Sequence, residues 1–150
     1  MVADQEKIAA KHLEILLVED NPADVRMMKE ALKVGYPEHH LSVASDGEEA
    51  ISMLRREHEF VTVPRPDIVI LDLKLPKKDG HAVLQTIKGQ PDLQSIPVVV
   101  MTSSKAPVDL TMSFKYNADA FVTKPFGLSK LISDLKIIDW LVKQPPSPAR

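Results

Sequence analysis

Three short, almost continuously apolar runs constrain the fold of this 150-residue chain more than any other feature of its sequence. They are LEILLV (13–18), DIVILDL (67–73) and IPVVVMT (96–102). A strand with one face in water alternates apolar and polar residues, whereas a strand covered on both faces is apolar throughout. The runs therefore predict the centre of a parallel sheet with helices on both sides. Two shorter runs, LSVA (41–44) and AFVT (120–123), are predicted as its remaining strands.

The segments between these runs carry helical signals. In the first, Asn21-Pro22 combines a preferred helix cap with proline at the first helical position, and Val25, Met28 and Leu32 then recur on one face. In the fourth segment the apolar residues alternate as in a strand. We still predict a helix there, from the position of this segment in the alternating order of strands and helices. The first three predicted helices begin at Asn21-Pro22, Asp46-Gly47 and Lys78-Asp79-Gly80. The fourth covers residues 106–116, and the fifth runs from about Gly127 to Lys143.

Five alternating strand–helix units predict one α/β domain over residues 13–143. Its sheet should be parallel, with right-handed crossovers and helices on both faces. Residues 1–12 are expected to form an N-terminal extension. QPPSPAR (144–150) is expected to be a flexible tail, since three prolines in seven residues cannot continue a helix.

The composition excludes several classes of protein. The chain has no cysteine, which rules out disulfides, thiol catalysis and thiolate-bound zinc. A net charge of −2 gives no support for binding to nucleic acid or to an anionic membrane surface. Residues 1–14 are too polar for a signal peptide, and no apolar run has the length of a membrane span. We therefore expect a soluble, cytoplasmic domain.

Charged and hydroxyl side chains follow the predicted strands at the edge where folds of this kind bind ligands. The first strand ends in Glu19-Asp20, the third in Asp72 and the fourth in Thr102-Ser103, and Lys124 follows the fifth. Carboxylates this close repel one another unless a cation lies among them. Mg²⁺, which binds to a few carboxylates together with water, suits this set of side chains.

This combination of side chains also suits phosphoryl transfer. A carboxylate can attack phosphorus to form an aspartyl-phosphate. An ammonium and a hydroxyl, here Lys124 and Thr102, can neutralise the transferring oxygens. Each residue has a simpler role as well: Asp20 can cap a helix, Asp72 can be an ordinary turn residue, and Thr102 suits a strand. It is the joint pattern, in order along the strand ends, that favours this chemistry.

Four segments resemble, in order and spacing, the motifs of bacterial response-regulator receiver domains: ILLVEDNPAD, IVILDLKLPKKDG, VVVMTSS and ADAFVTKPF. The resemblance covers residues 12–143. It implies a flavodoxin-like (βα)5 three-layer sandwich with strand order 2-1-3-4-5. It also implies a single-domain response regulator of a two-component system. Such a protein is a regulatory phosphoacceptor that promotes only its own phosphotransfer and aspartyl-phosphate hydrolysis, and its phosphoryl donor would be a sensor histidine kinase.

The resemblance assigns Asp72 as the phosphoacceptor. It also implies that Mg²⁺ is held by Glu19, Asp20, Asp72 and the main-chain carbonyl of Lys74. A lysine at position 74 departs from the Asn or Met that is frequent in relatives. A cation there can block or reorient the water that attacks the aspartyl-phosphate.

The same resemblance implies a switch made of three residues. The Thr102 hydroxyl would turn toward the phosphate, Lys124 would pair with the phosphoryl oxygens, and the ring of Phe121 would swing inward. Phe121 replaces the frequent tyrosine and cannot hydrogen-bond, so its movement would depend on packing alone. Asn117 stands where glycine is common, and asparagine tolerates the left-handed backbone expected there.

Two segments are more specifically similar to one subgroup, the single-domain regulators partnered with bacterial phytochromes. These are EHEFVTVPRP (57–66) and IIDWL (137–141). Only seven residues follow Lys143, so we expect no DNA-binding output domain. Output should instead come from contacts with other proteins.

The last predicted helix has apolar residues on two sides. At about 100° per residue one stripe faces the sheet, whereas Ile137 and Trp140 lie on the opposite side and Leu141 on a flank. These three residues are the predicted interface of a homodimer that uses the fourth and fifth predicted helices and the fifth strand. Alternatively, the segment around Ile8 or the tail prolines cover Trp140. The stripe comprises Leu128, Leu131, Ile132, Leu135, Ile138 and Val142.

Three other functions fit the sequence less well. A dehalogenase-type phosphatase needs an acid two residues after the nucleophile, where this chain has Lys74. A flavin- or nucleotide-binding protein needs a Gly/Ser/Thr-rich loop after the first strand, whereas EDNPAD is acidic. The remaining alternative is a receiver-like interaction module that works without phosphorylation, which the presence of the four chemically matched residues at the strand ends disfavours.

Overall fold

A five-stranded parallel sheet forms the centre of the protein. The computed structural model describes residues 12–75, 79–102, 117–124 and 127–143. The strands are β1 (Leu13–Val18), β2 (His39–Ala44), β3 (Ile68–Asp72), β4 (Val98–Thr102) and β5 (Ala120–Thr123). They lie in the order β2-β1-β3-β4-β5, and every neighbouring pair is parallel. The predicted fold class and strand order are confirmed.

Polar caps begin three of the helices where the sequence predicts them. Asn21 Oδ1 accepts hydrogen bonds from the N–H groups of Ala23 at 2.9 Å and Asp24 at 3.2 Å. Asp46 and Asp79 cap the next two helices in the same way. The helices are α1 (Pro22–Gly35), α2 (Gly47–Arg55), α3 (Gly80–Gly89), α4 (Leu128–Asp134) and α5 (Ile137–Lys143), with a short 3₁₀ turn at His58–Phe60.

Three predicted segments lie outside the described residues. They are the N-terminal extension apart from His12, the fourth predicted helix (106–116) and the proline-rich tail (144–150). Among the residues that are described, no helix combines the length and the apolar character needed to cross a bilayer.

Two apolar layers cover the sheet, one on each face. In β1, Leu16 and Val18 pack in the layer that contains residues of α2 and α3. Ile15 and Leu17 pack in the opposite layer with residues of α1, α4 and α5. All five positions of β3 are buried. This three-layer arrangement is the physical reason why the central strands are apolar at consecutive positions.

The last predicted helix is in fact two helices, so the prediction of one continuous helix to Lys143 is wrong. Leu135 and Lys136 form a tight turn, in which the Ile138 N–H donates to the Leu135 carbonyl at 2.9 Å. The Tyr36 hydroxyl donates to the same carbonyl at 3.1 Å. A turn with bonds to the third preceding residue advances by about 120° per residue instead of about 100°. The residues of α5 are therefore rotated about the helix axis relative to the predicted stripe.

Two side-chain assignments in this region need correction. Leu141 was expected on the flank that contributes to an interface, but the rotation of α5 places it in the core with 8% of its surface exposed. Leu128 was expected to face the sheet, but it is exposed at the first position of α4. Ile137 and Trp140 are exposed as predicted, Trp140 over 60% of its surface.

Gly80 allows α3 to begin directly against the chain that leaves β3. Its N–H donates to the Leu73 carbonyl at 3.0 Å. A Cβ at this position would lie 2.4 Å from both the Asp72 carbonyl oxygen and the Leu73 Cα. Because these are backbone atoms, they cannot move aside without displacing Asp72, so this close approach requires glycine.

Gly80→Ala is therefore expected to lower the free energy of unfolding by about 1–3 kcal/mol, the usual cost of overpacking. Gly89→Ala is the matched control, because no atom lies within 4 Å of a Cβ at that position and alanine is a better helix former than glycine. In urea titrations, only the Gly80 variant should unfold at a lower denaturant concentration. Equal stability of Gly80→Ala and wild type would contradict the close packing.

Candidate functional site

The predicted site residues lie at one edge of the sheet, where the strands have their carboxyl ends. Glu19 and Asp20 follow β1, Asp72 ends β3 and Lys124 follows β5. The backbone of Thr102 ends β4 at the same edge. The Thr102 side chain is outside the described part of the structure.

Three carboxylates are grouped at this edge. Glu19, Asp20 and Asp72 each offer one oxygen, and these oxygens all lie within 4.8 Å of one another. Glu19 and Asp72 are buried, with 1% and 5% of their surface exposed, whereas Asp20 is open to solvent. Negative charges at this separation repel, and burial strengthens the repulsion because it removes screening water. The group is therefore a suitable set of oxygen ligands for a divalent cation.

Lys124 offsets part of this negative charge. Its Nζ donates to Glu19 Oε1 at 2.6 Å, to Asp24 Oδ2 at 2.8 Å and to Asp72 Oδ2 at 3.1 Å. Burial alone would lower the pKa of Lys124, but these hydrogen bonds to carboxylates outweigh burial and raise the pKa above its ordinary value. The ammonium therefore stays charged at the centre of the site.

Burial makes ionisation of Glu19 unfavourable in the metal-free protein. Burial is the main cause of a net rise in its pKa from 4.5 to about 7. The hydrogen bonds from Lys124 and from the Asn21 N–H (3.1 Å) lower this pKa without offsetting burial, and the negative charge of Asp72 raises it further. A bound cation would favour the ionised form of Glu19 by direct attraction.

Asp72 is held at both oxygens. Its Oδ1 accepts the Lys74 N–H at 3.0 Å and its Oδ2 accepts from Lys124. The Lys74 side chain is exposed. Phe121, the predicted switch aromatic, is partly buried against the apolar layer beside α2 and α3, and it pairs with Val100 across β4 and β5.

Asp24 is a member of the site that the sequence interpretation missed. It lies in the first turn of α1, five residues after Glu19, and its contact with Lys124 joins α1 to the end of β5. A signal for it was present in EDNPAD: the Asn21 cap fixes where α1 begins, and an acid then follows within the first turn. Its contact with Lys124 depends on the three-dimensional approach of α1 and β5, which the motif does not contain.

Comparison with known families agrees with this geometry. Residues 15–136 match the family described as the response regulator receiver domain. The chain belongs to this family, whose members are regulatory phosphoacceptors of two-component signalling rather than conventional enzymes.

Two response regulators illustrate the similarity. Rcp1 of Synechocystis sp. is 42% identical over 129 residues, which cover 85% of this chain and 88% of Rcp1. The crystal structure of the Mn²⁺-bound form of Rcp1 has a TM-score of 0.77 at 38% identity and covers 90% of this chain and 99% of its own. The crystal structure of the phosphorylated cyanobacterial phytochrome response regulator RcpA also has a TM-score of 0.77, at 42% identity, and covers 87% of this chain and 91% of its own.

In metal-free protein, Glu19 should make stability depend on pH. Folded Glu19 keeps its proton up to about pH 7, whereas the unfolded chain loses it near 4.5. The free energy of unfolding should therefore fall as pH rises through this range, with a contribution from Glu19 of up to about 3 kcal/mol. Glu19→Gln cannot titrate, so its stability relative to wild type should increase with pH.

Urea unfolding in the presence of a chelator, from about pH 5 to about pH 7.5, measures this difference. Glu30→Gln is the control, because it removes an exposed carboxylate of α1. Its stability difference from wild type gives the effect of removing a carboxylate that is open to solvent. A pH-independent difference between Glu19→Gln and wild type would show that burial does not raise the pKa of Glu19.

Proposed function

We propose that this chain is a phosphorylation-dependent switch, which accepts a phosphoryl group on Asp72 from a phosphohistidine of a sensor histidine kinase. The observation that carries the proposal is the position of Asp72: a nearly buried carboxylate at a strand end, between two other carboxylates and the Lys124 ammonium. The similarity to RcpA, a regulator whose phosphorylated form has been solved, also supports it. The alternative is a receiver-like interaction module that works without phosphorylation.

Mg²⁺ is the proposed cofactor, held by Glu19, Asp20, Asp72 and the Lys74 main-chain carbonyl. The three side chains fit such an ion, because all are oxygen donors within 4.8 Å of one another and the exposed Asp20 leaves room for water ligands. Rcp1, which has been solved with Mn²⁺, supports a divalent cation here. When bound, the ion would neutralise negative charge on the transferring phosphoryl oxygens.

The remaining steps are assigned to the chain's own residues. A carboxylate oxygen of Asp72 forms the new O–P bond while the N–P bond of the phosphohistidine breaks and the imidazole leaves. The Lys74 N–H fixes the orientation of the Asp72 carboxylate through Oδ1. Lys124, and the hydroxyl of Thr102, would neutralise the oxygens of the transferred group.

The output of the switch is proposed to be a surface formed by residues 106–116, β5 and the last helix. When the Thr102 hydroxyl turns toward the phosphoryl group, it leaves space for the ring of Phe121. Phe121 is suited to this movement because it lies in β5 and is only partly buried. Couplings of this kind amount to about 1–3 kcal/mol between two sites.

A bacterial phytochrome is the proposed kinase, and the cytoplasm is the proposed location. The phytochrome assignment rests on the similarity to RcpA over most of the length of both chains. A receiver that responds to a kinase through a reversible protein contact needs no direct contact with nucleic acid or membrane, and none is proposed.

Asp72→Asn is expected to abolish phosphoryl uptake and to leave the fold intact, because a carboxamide has nearly the same shape but is a poor nucleophile. The protein would be incubated with acetyl phosphate and Mg²⁺, and its intact mass measured. Wild type should gain one phosphoryl group. Stoichiometric modification of Asp72→Asn would show that another residue is the acceptor.

Two control variants sharpen this experiment. Asp79→Asn removes a carboxylate that caps α3 and replaces it with an equally good cap, so it should gain the phosphoryl mass as wild type does. Thr102→Ala should also gain it, because the hydroxyl is not the nucleophile. If wild type gains no mass, the phosphorylation-independent alternative becomes the better account.

A homodimer through α5 is a further part of the proposal. Ile137 and Trp140 lie three residues apart on α5 and are both exposed, next to the charged surface of Lys136 and Asp139. Buried aromatic anchors contribute strongly to protein interfaces, and a two-fold axis would place Trp140 near Ile137 or Trp140 of a second copy. Leu141 is excluded from this surface because it packs in the core.

Combining Ile137→Glu with Trp140→Glu should yield a monomer that still accepts phosphate, because the added charges would be buried at the interface. Analytical ultracentrifugation at tens of micromolar, with and without phosphorylation, measures the association. Val61→Glu is the control, since Val61 is an exposed apolar residue of a different segment. Wild type that sediments as a monomer in both states would refute the dimer.

A further inference from the structure

We infer that Asp24 tunes the proposed phosphoryl site by competing with the phosphoryl group for the ammonium of Lys124. The inference rests on the proposed function, since it concerns the same site. Asp24 lies outside the group of three carboxylates suited to the cation. Its role would be that of a positioning residue, which acts on the phosphoryl group through Lys124.

The number of hydrogen-bond donors on Lys124 is the first argument. An ammonium has three N–H groups. Three carboxylate oxygens accept from it, one each from Glu19, Asp24 and Asp72. These acceptors match the full donor capacity of the ammonium. A phosphoryl oxygen on Asp72 can therefore bind to Lys124 only after one of these hydrogen bonds is released.

The burial of the partners indicates which bond is released. The Glu19 side chain is 1% exposed, so water cannot replace Lys124 as its hydrogen-bond donor. Asp72 carries the phosphoryl group itself. The Asp24 side chain is 29% exposed, so water can replace Lys124 as its partner. The Asp24 contact is therefore the least costly of the three to break.

The position of Asp24 on α1 also favours the exchange. Its backbone N–H is bound by the Asn21 cap at 3.2 Å, which holds its place in the first helical turn. A carboxylate in the first turn is stabilised by the helix dipole whether or not it has an ionic partner. Asp24 can thus release Lys124 and remain favourably placed, and it can recapture the ammonium when the phosphoryl group leaves.

Replacement of Asp24 by Asn should therefore strengthen the binding of a phosphoryl group. Beryllofluoride, a non-covalent analogue of the phosphoryl group, serves as the probe, titrated in the presence of Mg²⁺ and followed by isothermal calorimetry. Asp24→Asn should bind it about tenfold more tightly than wild type, the usual contribution of one hydrogen bond to a charged group. Glu30→Gln removes an exposed charge of the same helix and should leave the affinity unchanged.

Removal of any negative charge near the site raises the affinity of the protein for an anionic ligand. A second variant, Lys124→Met, separates this general effect from competition. In Lys124→Met there is no ammonium to compete for, so the added Asp24→Asn change should have a much smaller effect. If Lys124→Met does not fold, the ratio of the beryllofluoride affinities of Asp24→Asn and wild type is measured at about 0.5 M KCl. Salt at this concentration screens a long-range electrostatic field, whereas it weakens a direct contact much less. The ratio should persist.

The outcomes distinguish this inference from the proposed function. If wild type binds beryllofluoride, the proposed site is supported. The competition is nevertheless overturned by any of three results: equal or weaker binding by Asp24→Asn, the same gain in affinity in the Lys124→Met background, or loss of the affinity ratio in high salt. If wild type binds no beryllofluoride with Mg²⁺, the proposed function fails and the inference fails with it.

Discussion

Repulsion among carboxylates at one edge of the sheet is the constraint on which the rest of this site depends. Two of the carboxylates, Glu19 and Asp72, are almost fully buried, and an unpaired buried charge typically costs several kcal/mol. Lys124 meets this cost in part, since it contacts both. The remaining excess of negative charge is what makes the edge receptive to a cation. The buried carboxylates thus lower the stability of the fold and, by the same negative charge, favour the binding of a cation.

The apolar layers make it possible to hold such an arrangement together. The strands that carry Glu19 and Asp72 are covered on both faces, and hydrophobic burial contributes about 25 cal/mol for each Å² removed from water. Beyond β3 the chain is fixed by backbone contacts on two sides: the Leu73 N–H donates to the Met101 carbonyl at 3.1 Å, and α3 begins directly against it at Gly80. Asp72 is therefore placed by the backbone as well as by its own hydrogen bonds.

The features that follow local rules could be predicted from the sequence. The buried strands and the helix caps at Asn21, Asp46 and Asp79 follow from hydrophobic periodicity and capping chemistry. Asn117, expected in the left-handed conformation, has a φ of 65°. The strand order came from resemblance to a family, because the alternation of strands and helices alone does not determine which strands are neighbours.

Two features that depend on particular side-chain contacts between distant segments were not predicted. The break after α4 involves a hydroxyl from Tyr36, which is 99 residues away from Leu135 in the chain. Uniform helical periodicity therefore assigned Leu141 to the wrong surface. Asp24 was missed for a related reason, since its partner Lys124 is 100 residues away. Side-chain contacts at such separations arise only when the helices have packed on the sheet.

Helix α1 connects two regions of the molecule that are otherwise far apart. Its 14 residues span about 21 Å along the helix axis. At one end Asp24 is bonded to Lys124, and just beyond the other end the Tyr36 hydroxyl is bonded to the turn that orients α5. A continuous path of hydrogen bonds and helical backbone therefore runs from the carboxylate edge to the turn that precedes α5, and this path does not pass through β4.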